Sequence, residues 1–78
     1  MYVDPLTAQK DYLRMVEARL DAVIAGRLFP YTWHNLNIVK NELEFARERI
    51  MQHPFLESFV KLVGLEIATN RLIQDFGK

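Results

Sequence analysis

The chain has 78 residues, ten Lys/Arg against ten Asp/Glu, a formal net charge of zero, half its residues hydrophobic, and no cysteine. That apolar content excludes intrinsic disorder, and three glycines with three prolines exclude a collagen-like chain. Disulfide staples and thiolate metal sites are excluded as well, which leaves helix packing and oligomerisation among the aids to a core near the lower size limit.

The first predicted helix covers 5–25. Asp4 suits the N-cap, Pro5 the first helical position, and Gly26 the terminator. Leu6, Leu13, Val16, Leu20 and Val23 fall on one stripe, widened by Ile24, while Lys10, Asp11, Arg14, Glu17 and Asp21 occupy the other face. The following segment concentrates Phe29, Tyr31 and Trp33 between two helices. We read these aromatics first as a cap on the core and second as an aromatic anchor for a partner.

The second helix is predicted over 33–52. Thr32 is its expected N-cap, and Tyr31 with Leu36 has the spacing of a hydrophobic staple. Leu36, Val39, Leu43, Ala46 and Ile50 form its apolar stripe, and Arg47 and Arg49 lie where the helix dipole favours cations. Pro54 must then break the helix, because its ring clashes with the carbonyl of Ile50 and it donates no hydrogen bond.

The third helix is predicted over 54–76, with Gly77 as terminator. Leu56, Val60, Val63 and Ile67 make one stripe; Phe55, Phe59, Leu62, Leu65, Leu72 and Phe76 make another. So wide an apolar arc calls for two packing partners. The short joint at Pro54 favours a corner or kinked rod at least as much as a full reversal. In those geometries the surplus apolar surface needs a second chain, and Phe55, Phe59, Leu62, Leu65 and Leu72 are the expected seam. Gly64, inside the most apolar stretch, is expected at a close helix crossing.

The fold class that follows is all-α: an antiparallel hairpin of helices 5–25 and 33–52, plus a third helix over 54–76, in a single domain over 1–78. No apolar run approaches the ~18 residues of a membrane span, and the first residues lack the basic and apolar regions of a signal peptide. With the absent cysteines, this predicts a cytoplasmic protein.

Reactive constellations are scarce. His34 and His53 have no HxxxH, HxxE or HExxH spacing, so neither is expected to bind metal or catalyse. Glu44 and Glu48 share a face at i,i+4 but sit among Lys40 and Arg47, as a solvated helix face does. No catalytic residue, metal or cofactor is expected. The predicted function is a helical protein-interaction module, acting as a regulator, adaptor, inhibitor or assembly factor. Its expected partners are a second copy, most simply in a homodimer, and one larger protein.

Two other classes of function are alternatives. A DNA-binding or nucleoid-associated regulator is one, since Pro5-Leu6-Thr7 with Asp11-Tyr12-Leu13 resembles the start of the small Hha-type nucleoid modulators. The Ala-Ala-Asp-His-Arg segment of that family is absent, and zero net charge opposes phosphate binding. A small dimeric helical enzyme is the other, since Arg14 and Arg19 followed by Leu20 resembles the first helix of helical chorismate mutases. That fold needs a longer first helix, which Gly26 and Pro30 cut short.

Overall fold

In the computed structural model, residues 4–26 and 32–76 are described. They form three helices, α1 (Pro5–Ile24), α2 (Thr32–Gln52) and α3 (Leu56–Phe76). The helix ends follow the local chemistry. Asp4 accepts hydrogen bonds from the backbone N–H groups of Leu6 and Thr7 at 3.1 and 3.2 Å, and from the Thr7 hydroxyl. At the other end the Ala25 N–H donates to the carbonyl of Asp21, and Gly26 takes a left-handed φ of 73°. Thr32 is a buried residue inside α2 and not a cap ahead of it. Tyr31, its expected staple partner, and Gly77, the expected terminator, lie outside the described residues.

The cap makes a pH prediction. The Thr7 hydroxyl, aided by the two N–H groups and Lys10 and opposed by desolvation, holds the Asp4 carboxyl below its ordinary pKa. A depressed carboxyl stabilises the fold above its unfolded pKa, about 3.9, and that contribution fades as pH falls through the lower folded value. Asp4→Ala is therefore expected to lower the melting temperature at pH 7, with the gap to wild type narrowing below about pH 4. Thermal melts at both pH values check this. A gap of equal size at the two would remove the carboxylate charge from the account.

The core is one cluster drawn from all three helices. Leu13, Val16, Leu20 and Val23 of α1 meet Leu36, Val39, Leu43, Ala46 and Ile50 of α2, with Leu62 and Leu65 of α3 between them. The stripes expected on α1 and α2 are thus the buried ones, except that Leu6 at the start of α1 is only half-buried.

The chain reverses at the Pro54 joint, and α3 folds back along both other helices. This corrects the expectation that a corner or projecting rod was at least as favourable. Three residues, His53 to Phe55, separate α2 from α3. The joint is tied down from outside: the Gln9 side-chain amide donates to the His53 carbonyl at 2.9 Å. The His53 N–H still reaches the Arg49 carbonyl, and the Phe55 carbonyl accepts the Phe59 N–H, so few backbone groups are stranded by the turn.

Charge pairs give the direction of packing. Lys10 meets Glu57 at 2.9 Å and Lys61 meets Glu17 at 2.6 Å, so α1 and α3 run parallel. Arg19 reaches Glu42 while Gln9 reaches the His53 carbonyl just beyond α2, so α2 runs antiparallel to α1. Arg47 binds Glu66 through two nitrogens, at 3.1 and 2.6 Å, fixing α3 against α2. The Glu66 carboxylate bonds raise the pKa of the Arg47 guanidinium further. Exposed pairs add little stability, but wrong pairings would place like charges together, so they select this arrangement.

Candidate interaction surface

The residues singled out from sequence fall into three groups. Leu62 is fully buried and Leu65 is 7% exposed, and Leu72 packs against the core. Leu62 and Leu65 hold the subunit together and cannot also form an outer seam, which corrects their assignment, whereas Leu72 is partly buried at the core's edge. Phe55 is half-buried, and Phe59 is 37% exposed at the boundary, with the Arg47 guanidinium 5.8 Å from its ring centre. Trp33 is half exposed on α2; Phe29 and Tyr31, the rest of the aromatic patch, lie outside the described residues.

The physical reason for the correction lies in Ser58 and Thr69. Both are buried on α3, and the line Ser58–Leu62–Leu65–Thr69 is the one that faces α1 and α2. Counting only apolar side chains hides that line, because two of its four members carry hydroxyls. The other stripe lies largely outside. Leu56 is 79% exposed, Val60 62% and Ile67 50%, with Val63 half-buried beside them. At i, i+4, i+7 and i+11 these four share one helix face. Over about 16 Å of helix, at 1.5 Å per residue, an apolar ridge points away from the subunit's own core.

Gly64 belongs to this outer face. A methyl group placed on its Cα would meet nothing within 4 Å. No close helix crossing inside the subunit uses it, contrary to the sequence expectation. It nonetheless costs the helix about 1 kcal/mol relative to alanine.

Further large apolar side chains are exposed singly elsewhere, among them Ile24, Trp33, Phe45, Met51 and Phe76, and charged pairs border two grooves. A groove of about 350 Å³ between α1 and α3 is rimmed by the Lys10–Glu57 and Glu17–Lys61 pairs. A second, of about 270 Å³, lies where Gln9, Tyr12, Arg49 and His53 converge. There the Gln9 amide is held by the His53 carbonyl, and burial, with help from Glu42, raises the Tyr12 phenol above its ordinary pKa. A phenol so shifted is a poorer base supply at neutral pH, not a better one. Glu44 and Glu48 lie exposed on α2, as does His34, and His53 is exposed in the joint. Among the described residues no group of three His, Cys, Asp or Glu could hold a metal ion, and no helix is long and apolar enough to cross a membrane.

Comparison of the chain with protein-family models, with curated proteins and with solved structures finds no match.

Proposed function

We propose that this chain is a small helical protein-interaction module, a regulator, adaptor, inhibitor or assembly factor, that associates with a second copy through the outer face of α3. The observation that carries the reading is the exposure of Leu56, Val60 and Ile67 on one ridge of a helix whose opposite side already fills the core. Burying an aliphatic side chain contributes roughly 1.5–3 kcal/mol, a large gain for a domain of this size. Zero formal charge lets two copies approach without net repulsion. Among the described residues Lys10, Arg14, Arg19, Arg47 and Lys61 each already face a carboxylate, which leaves Lys40, Arg49 and Arg71 for phosphates and disfavours nucleic acid as the partner.

Sedimentation over a concentration series tests this. The apparent mass should climb from 9.2 kDa toward twice that value. Ile67→Asp should return it to that of one chain while helicity is retained, since Ile67 is half exposed in the subunit. A mass that never rises with concentration rejects the self-association.

A further inference from the structure

Along the outer face of α3, Glu57, Val60, Gly64, Ile67 and Arg71 recur at spacings of three, four, three and four, and all five are exposed. That is the spacing with which one helix keeps a seam toward another. The seam is self-complementary about its middle residue. Glu57 lies seven positions before Gly64 and Arg71 seven after it, with an aliphatic residue on each side between. Glu57 and Arg71 thus stand about 10 Å from Gly64 in opposite directions along the axis, with opposite charge.

Resting on the self-association just proposed, we infer that the second copy packs its α3 antiparallel to the first, with Gly64 on the two-fold axis and Glu57 of each copy level with Arg71 of the other. In this arrangement Val60 meets the partner's Ile67, and both ends of the seam carry a complementary charge pair. A parallel pairing would instead set Glu57 against Glu57 and Arg71 against Arg71, which is repulsive.

Three features of the subunit fit this occupant. Arg71 has no ion-pair partner among the described residues. Glu57 gives Lys10 one contact, at 2.9 Å, and a carboxylate can accept several. Gly64 has open space in front of it, where a neighbouring backbone can come closer than any side chain would permit. A two-fold interface must be complementary to itself, and this face meets that condition.

The test uses single-cysteine variants, because the chain has no cysteine of its own. Under mild oxidation Gly64→Cys should form a disulfide-linked dimer, since residues on the axis fall within the 4.4–6.8 Å Cα separation a disulfide needs. Glu57→Cys alone should not cross-link, but a mixture of Glu57→Cys and Arg71→Cys should give the mixed dimer. In parallel, Gly64→Leu should weaken dimerisation about tenfold or more without lowering the melting temperature of the dilute protein. Glu57→Arg or Arg71→Glu alone should weaken it about fivefold, and the two together should restore it.

The outcomes separate the two levels of the argument. A wild-type chain that stays monomeric throughout the concentration series overturns the self-association and this geometry with it. A wild-type dimer whose Gly64→Cys variant does not cross-link, or whose Glu57→Cys variant links to itself, overturns the antiparallel register alone. So does a dimer indifferent to Gly64→Leu, or a double charge exchange that fails to restore association.

Discussion

Leu62→Ala is expected to leave the protein largely unfolded at 37 °C, whereas Leu56→Ala, on the same helix, should change its stability by no more than about 0.5 kcal/mol. The two residues are chemically identical, and only their position around the helix differs. Leu62 is fully buried in the cluster shared by α1, α2 and α3, and Leu56 is 79% exposed. Truncating a buried leucine removes its transfer free energy and leaves a cavity that the neighbours only partly fill, at a cost of about 2–5 kcal/mol. A single core of this size supplies only about 3–5 kcal/mol in total. The loss at position 62 therefore consumes most of the stability available. The exposed leucine has no comparable contact to lose within the subunit. Melts followed by circular dichroism at low micromolar concentration, where association contributes least, would show the contrast. Equal losses in the two variants would mean that α3 has no distinct inner and outer face, and a reversed order would mean that the two have been exchanged.

That contrast also marks how far the fold can be read from sequence. Helix ends were legible because they rest on local chemistry: Asp4 and Pro5 at the start of α1, Gly26 at its end, Pro54 between α2 and α3. The buried faces of α1 and α2 were legible because their core positions, apart from Gln9 and Thr32, are apolar at helical spacing. On α3 the same reasoning puts Leu62 and Leu65 outside, whereas they stand with Ser58 and Thr69 on the inner line.

The reversal at Pro54 was not legible for a different reason. It is marked by Gln9 reaching the His53 carbonyl across forty-four positions, and by three charge pairs that join α3 to the other two helices. None of these is visible in local periodicity. The excess of apolar surface on α3 was legible as a quantity. Its location became definable only once α1 and α2 had claimed one side of the helix.

Thr69→Val is expected to raise stability by about 1 kcal/mol, or about 4–8 °C in melting temperature for a domain of this size. Thr69 and Ser58 are each only 1% exposed, and neither hydroxyl oxygen has a hydrogen-bond partner among the described residues. Burying an unpaired hydroxyl forfeits its bonds to water, at a cost of about 1–3 kcal/mol that nothing here offsets. Valine keeps the branched shape of threonine, and the two have nearly equal helix propensity, so the substitution isolates the hydroxyl. Ser58→Ala should act in the same direction, though it also replaces serine with a better helix former and so is the less clean comparison. A Thr69→Val variant that melts lower than wild type would show that the hydroxyl is bonded after all, most simply to the Leu65 carbonyl one turn back. Because Thr69 faces the core and Gly64 the outside, the stabilised variant should self-associate with unchanged affinity. Stability and association would then respond to opposite sides of one helix.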